Sequence, residues 1–356
     1  MEAINQNLDN QKEWDDFCLQ SDDSWICHTT KWLDHLKHYN PELNSESKSF
    51  FVKENGKTMA ICPLLLENNY GIKQFSFAGG FGQLPALANG LSFKEKEKLT
   101  KFIFNQIDEL AKINQVALIK MRYSVLSPSF IEKRELKFNM LMQFGFIDTS
   151  LNTRVIDLNK SLTELRREVR HGHDAAIDQA SKMIEIKIFT KENITKDIFE
   201  AYVKMHIGEV KSRMARPRIV FDLMFEILKD GNAFLIGAKK DDKFIGFSYF
   251  NIYKDNANYT SACHLPDFDS LPIGHLIQWA AIKYLKENGG KHYEIGWQFF
   301  ANTLTDFPTT KELNISKFKR GFGGYTITQY MGEKYYDKKL FTAQYEKRIS
   351  AYADGL

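Results

Sequence analysis

The chain has 356 residues, of which 43% are hydrophobic and 13% aromatic, and its formal net charge is +3. That length suits roughly two domains of about 100–200 residues each, and so slight a charge does not by itself announce a nucleic-acid binder. No apolar run approaches the ~20 residues of a membrane-spanning helix and the polar N-terminus is no signal peptide, so a soluble, cytoplasmic protein is expected. Cys18, Cys27, Cys62 and Cys263 contain no C-x-x-C pair; buried thiols are expected of them rather than a disulfide or a metal site.

Residues 11–39 read as two helical segments around a polar break, with Trp14, Phe17, Trp25, Trp32, Leu33 and Leu36 spaced to bury one face. His28, His35 and His38 have no carboxylate or cysteine at ligand spacing, so no metal is expected there. SKSFFVK, KTMAICPLLLE and IKQFSFAG then read as three strands, followed by a loop (GGFGQLPALANG), a helix over 93–114 and a closing strand, VALIKMR. The loop at Ala78-Gly79-Gly80-Phe81-Gly82 is the most glycine-rich point of the chain. Its backbone amides could cradle an anion, with Gly79 and Gly80 as candidate substrate-binding residues. A tight turn over a sheet edge is the equal alternative, since the spacing is neither a Walker loop nor a dinucleotide fingerprint.

A connection over 123–150 leads to a strand through Thr153–Leu158 and then to a helix opened by a Ser161/Glu164 capping box. Arg166, Arg170 and His173 fall on one face of that helix, and Gly172 weakens it mid-length. The stretch 198–228 is largely helical but broken at RMARPR, where Pro217 disfavours helix at Arg216. Arg213, Arg216 and Arg218 crowd this turn, and guanidinium forks suit a phosphate or carboxylate. Arg213, Arg216, Arg166 and Arg170 are therefore candidate anion-binding residues, with a solvated surface as the alternative.

AFLIGAK, FIGFSYFNIY and NYTSAC follow as three strands, then the loop HLPDFDSLPIG, a helix over 275–288 ended by Gly289-Gly290, and the strand KHYEIGW. Strand-strand-strand-helix-strand thus occurs twice, an architectural repeat that predicts tandem lobes. Tyr249, His264 and Trp297, in the second pass, are added as candidate substrate-binding residues. FFANTLTDFPTTKELN is expected to be a loop, and ISKFKRGFGGYTITQYMG a helix end, a glycine turn and a strand. Between Lys311 and Arg348 there are nine Lys/Arg against four Asp/Glu.

HLIQWAAIKYLKENGGKHYEIG and FKRGFGGYT, together with LRREVRHGHDAAIDQASK, AGGF and WICHTTKWLDHL, resemble the FemABX-like branch of the GNAT acyltransferase superfamily. The likeness runs over most of the chain in the right order. It implies an α/β (α+β) fold of two tandem GNAT-like lobes, each a mixed, mainly antiparallel sheet flanked by helices, over residues 1–158 and 159–356, with a ligand cleft between them. It also implies transfer of an aminoacyl or acyl group to an amine, on a peptide, amino-sugar or lipid-linked envelope precursor. The family places a lysine in the F-K-x-G-F-G-G stretch, so Lys319 and Phe318 are the expected catalytic residues. Acyl-CoA or aminoacyl-tRNA would serve as co-substrate, with no tightly bound cofactor. In place of the acetyl-CoA loop Q/R-x-x-G-x-G/A stands Leu271-Pro272-Ile273-Gly274-His275-Leu276, leaving Gly274 and His275 as the cofactor-binding candidates. This departure favours tRNA slightly over coenzyme A, with the basic tail from Lys311 as its grip. A GNAT-fold binding protein without catalysis is the alternative reading.

Overall fold

The computed structural model describes residues 1–133, 138–209 and 216–355. The chain divides into one unit of Met1–Leu151, Ala301–Pro308 and Thr328–Leu356, and a second of Asn152–Phe300 and Thr309–Ile327. The expected single boundary at residue 158 therefore becomes a departure at Leu151 and a late return. Strand pairing explains the return: Met331–Tyr335 runs antiparallel to Leu118–Arg122, from Met331 opposite Arg122 to Tyr335 opposite Leu118. No helix among the described residues is long and apolar enough to cross a membrane.

In the first unit, helices Gln11–Gln20 and Thr30–Tyr39 bury Trp14, Phe17 and Leu33 against Phe51, Ile61 and Phe77. The segment read as one strand, KTMAICPLLLE, is two, Lys57–Cys62 and Leu65–Asn69, and they lie in different sheets. Pro63 falls between them and has no N–H to give a ladder. Helix Phe93–Asn114, opened by a Ser92/Glu95 capping box, connects Ile72–Phe75 to its parallel neighbour Leu118–Arg122.

The second unit is built on a seven-stranded sheet. In chain order its elements are β1 (Leu151–Asp157), α1 (Leu162–Glu168), α2 (His171–Ser181), β2 (Glu185–Phe189), α3 (Lys196–Lys204), α4 (Arg218–Lys229), β3 (Ala233–Lys240), β4 (Lys243–Tyr253), β5 (Asn256–His264), α5 (Ile273–Glu287), β6 (His292–Gln298), α6 (Thr310–Arg320) and β7 (Tyr325–Gln329). The sheet order is β2-β3-β4-β5-β6-β1-β7. All the pairings from β2 to β5 are antiparallel, whereas β5 and β6 are parallel and connected across α5. Phe234, Ile236, Phe250 and Tyr293 from the sheet meet Ile277, Ala281 and Leu285 of α5 and Ile177 of α2 in one core.

Both units thus contain two parallel neighbours joined through a helix, but they treat the gap between those neighbours differently. In the first unit the pairing of Gln74 and Phe75 with Leu118 and Ile119 is continued by Gly82 opposite Met121 and Gln83 opposite Arg122. The chain closes its own gap. In the second, β5 and β6 pair only at Asn256, Ala257 and Asn258, opposite His292, Tyr293 and Glu294. Beyond that point the two strands diverge, and Tyr259–His264 keep a partner only on the β4 side among the described residues.

Candidate active site

The open divergence of β5 and β6 is flanked by the C-terminal turn of α6. A Thr309/Glu312 capping box starts this helix, where each group satisfies an orphan donor of the other's end. The helix replaces the later part of the loop expected over residues 299–314, and Thr309-x-x-Glu312 is the local signal for its start.

Lys319, in the last turn, reaches back to β6. Its Nζ lies 2.7 Å from where a Cβ on Gly296 would stand, and Gly296 has φ +111°. The β1–β6 register shifts at this point, with Arg154 opposite Gly296 and Val155 opposite Glu294. A bulge of this kind bends the strand and re-aims neighbouring side chains. Half-buried, Lys319 is pulled below the ordinary lysine range by burial, with Glu294 opposing that pull. Its ammonium forms no hydrogen bond or ion pair with another described residue.

Phe318 points the other way, towards the start of α5. Its ring lies 4.9 Å from that of His275 and 5.1 Å from that of Phe322, and its edge is 3.5 Å from a Cβ placed on Gly274. The buried His173 packs at 4.4 Å from His275. Burial, with His173 and Arg170 adding to it, holds His275 down to about 4. The glycine turn after α6 is held by Arg154, whose Nε donates to the Gly323 carbonyl at 2.7 Å and Nη1 to Thr326 Oγ1 at 3.1 Å. Glu168 accepts from the Gly324 N–H at 3.1 Å.

Residues 157–301 match the acetyltransferase (GNAT) domain family. The crystal structure of FemX is similar over 96% of this chain and 99% of that one, with a TM-score of 0.65 at 13% identity. A tandem GNAT protein from the clavulanic acid biosynthesis pathway matches 94% of this chain and 98% of its own, with a TM-score of 0.50 at 13% identity. The second unit thus carries the match to a GNAT domain, and the chain as a whole has a fold like those of FemX and the tandem GNAT protein. A C-terminal domain assigned to a lysylphosphatidylglycerol synthetase of Agrobacterium fabrum covers 92% of this chain and 91% of its own, with a TM-score of 0.59 at 10% identity. No curated relative matches the sequence.

Several candidate residues take other roles in the tandem GNAT fold. In the first unit, the loop at Gly79 and Gly80 is occupied by the chain itself. The buried Glu67 accepts from the Ala78 N–H at 2.7 Å, the Gly79 N–H at 2.9 Å and the hydroxyls of Ser45 and Ser76, while Gly80 N–H donates to Phe77 O. Amides bonded in this way are not offered to a substrate anion. Tyr249 is fully buried and its hydroxyl donates to the Met224 carbonyl at 2.8 Å, so it is a core residue. His264 is exposed at the end of β5, paired with Asp269 at 2.7 Å. Trp297 lies on β6 opposite Thr153, next to Gly296 and edge-on to Phe299.

The three described arginines of the four separate. Arg166 is engaged by Asp174 and Asp178 and lies over Trp279 at 4.9 Å, so its charge is already met within the second unit. The expected single helix breaks at Val169-Arg170 rather than at Gly172, which is exposed with open space around it. Arg170 thereby becomes the N-cap position of α2, with its guanidinium on His173. Arg213 lies outside the described residues. Arg216 reaches β5, its Nη1 3.4 Å from Ser261 Oγ, in the part of that strand that has left β6.

At the start of α5 the first-turn amides are largely used. Ile273 N–H donates to Leu271 O, and those of His275 and Leu276 to Pro272 O, which leaves Gly274 to offer its N–H. The basic tail is not one surface element. Lys311, Lys317, Lys319 and Arg320 belong to the second unit and the later cations to the first. Lys334 is paired with Asp108 at 2.6 Å and Arg348 with Glu333 at 2.8 Å. Sequence reasoning missed His173, Glu294 and Arg154 as neighbours of the lysine turn, because each comes from a different, distant element.

Proposed function

We propose that this protein is an N-acyltransferase that moves an aminoacyl or acyl group onto an amine of a cell-envelope precursor, with Lys319 at the reacting carbonyl. The observation that carries the reading is the Lys319 ammonium on Gly296, beside the divergence of β5 and β6. The unpaired edges of diverging strands can hold an extended acyl or aminoacyl donor by main-chain hydrogen bonds, as an added strand would. The lysylphosphatidylglycerol synthetase neighbour, by its name, places a lysyl group on an envelope lipid, and the GNAT match supports acyl transfer in general.

The chemistry asks little of the protein. The acceptor nitrogen attacks the ester or thioester carbonyl, a C–N bond forms, and the tetrahedral oxyanion collapses with loss of an alcohol or thiol. The amine proton leaves with that group. Lys319 would meet the oxyanion, and a donor aimed there contributes roughly 3 kcal/mol. A lysine pulled below its usual range is also a better proton donor to the departing alkoxide. Phe318, against Gly274 and His275, keeps this turn dry. Of the described candidates Arg166, Arg170 and Arg216, Arg216, above the part of β5 that has left β6, is the best placed for an anionic substrate group.

The test supplies wild-type protein and Lys319→Met with aminoacyl-tRNA or acetyl-CoA and a panel of peptide and amino-sugar acceptors. Transfer by the wild type, reduced on the order of 10²–10³-fold in the variant, is the expected result. Equal transfer by both proteins would remove Lys319 from the chemistry. Ligand binding without any transfer would favour a GNAT-fold binding protein.

A further inference from the structure

One side chain links α2 to the turn that carries Lys319. The Nε2 of His173 is 2.9 Å from the Phe318 carbonyl, and its Nδ1 is 3.0 Å from Arg170 Nη2. A carbonyl only accepts and a guanidinium only donates. The ring must therefore carry its proton on Nε2 and keep the Nδ1 lone pair for Arg170. The ring lies flat on Gly321, where an added Cβ would stand 2.2 Å from Nε2. The Arg170 backbone N–H donates to the Gly321 carbonyl at 2.8 Å. Three contacts thus tie the start of α2 to residues 318–321, on either side of Lys319.

We propose that His173, in its neutral Nε2–H form, is the positioning residue that holds Lys319 on Gly296, and that protonation of its ring releases the lysine turn. This rests on the reading of Lys319 given above. A second proton would turn Nδ1 into a donor facing a donor. The groups around the ring do not offset that charge: Arg170 faces it from the N-cap of its own helix, His275 from α5, and α6 with the turn after it presents Phe318, Gly321 and Phe322 while Lys319 is directed at Gly296. Burial and Arg170 both disfavour the charged imidazole, so the neutral form prevails at neutral pH.

The experiment compares wild type, His173→Leu and His173→Gln by two readouts. Gln can donate its amide to Phe318 and accept from Arg170, and it does not titrate. The first readout needs no substrate: competitive labelling of lysines with acetic anhydride across pH, read by mass spectrometry. Lys319 should label with a raised, more ordinary titration midpoint in His173→Leu, and as wild type in His173→Gln, with the other lysines unmoved. The second is turnover against pH. His173→Leu should lose on the order of 100-fold in kcat, the scale of a misplaced catalytic group, with KM retained. His173→Gln should keep most of the turnover and lose the acid limb that the wild type shows. If His173→Leu does not fold, Arg170→Met serves instead: it removes the guanidinium donor and should move the acid limb to higher pH. Wild-type labelling of Lys319 in His173→Leu, or an unchanged acid limb in His173→Gln and Arg170→Met, would overturn the proposal. The two ideas fail separately: full turnover by Lys319→Met defeats the catalytic reading, while the labelling still decides the role of His173.

Discussion

The Lys319 ammonium occupies the space in which a side chain on Gly296 would begin, 2.7 Å from that Cβ position. Glycine at 296 is required twice over, by the lysine and by a φ of +111° that L residues rarely adopt. Gly296→Ala is therefore expected to displace the ammonium and strain β6 together. Turnover should fall while donor affinity, which the proposed function assigns to the strand edges, is largely kept. A Gly296→Ala protein with wild-type kcat would show that the lysine need not sit there.

Gly321 is constrained by contact alone. Its φ of −65° is ordinary, so alanine would bring no backbone strain, but the new Cβ would meet the His173 ring at 2.2 Å. Overpacking of this kind costs about 1–3 kcal/mol, and the expected loss is read as a lowered denaturation midpoint. Removing the ring should relieve it. Gly321→Ala with His173→Ala should destabilise less than the sum of the single changes, by roughly 0.5–3 kcal/mol as for other contacting pairs. Strict additivity in chemical denaturation would contradict the contact.

This contact also shows what the sequence could and could not disclose. The FKRGFGG stretch marked the lysine turn, because a glycine-rich helix end is a local feature. The strand-strand-strand-helix-strand order marks both lobes for the same reason, whereas the equally local Thr309-x-x-Glu312 signal of α6 stands in a segment that the sequence analysis expects to be a loop. What places Lys319 is not local. Gly296 comes from β6, His173 from α2 and His275 from α5, and no spacing along the chain brings these together. The Gly79-Gly80 loop shows the converse. Its amides suggested an anion site, but the anion is Glu67, supplied by a neighbouring strand. Likewise Arg166 looked available only because Asp174 and Asp178, on the next helix, could not be matched to it across the unforeseen break at Arg170.

Acid should weaken the second unit before it touches the carboxylates. His275 and His206 are both held at about 4 by burial, against an ordinary 6.5, with nearby cations assisting. As pH falls from about 6.5 towards 4, the unfolded chain takes up protons that the folded chain refuses. Stability must then fall with pH across that window and be complete above it. Glu168 and the other depressed carboxylates add their loss only below their ordinary 4.5. Denaturation midpoints measured between pH 5 and 7.5 thus isolate the histidines. A flat profile over that range would show that neither ring is excluded from protonation.

The choice of donor turns on the first turn of α5. A pyrophosphate at a helix N-terminus is held by several free backbone amides together with the helix dipole. Here the N–H groups of Ile273, His275 and Leu276 are directed to Leu271 and Pro272 carbonyls, Pro272 has none, and Gly274 is left to serve. The site is therefore poorly furnished for coenzyme A in that pose. The basic residues from Lys311 onward are shared between the two units, and Lys334 and Arg348 are already paired. A tRNA donor would meet the exposed remainder of either unit taken by itself, Lys311 and Lys317 in the second or Lys338, Lys339 and Lys347 in the first. Each phosphate neutralised would contribute about −0.7 to −0.9 to the slope of log K against log salt. With only some of these cations engaged, charged tRNA should bind with a slope of a few, and acetyl-CoA weakly at any salt. Calorimetric titration of both ligands at two salt concentrations measures this directly. Tight, salt-insensitive acetyl-CoA binding with no tRNA affinity at low salt would reverse the preference, and would mean that coenzyme A is gripped by groups other than the amides of α5.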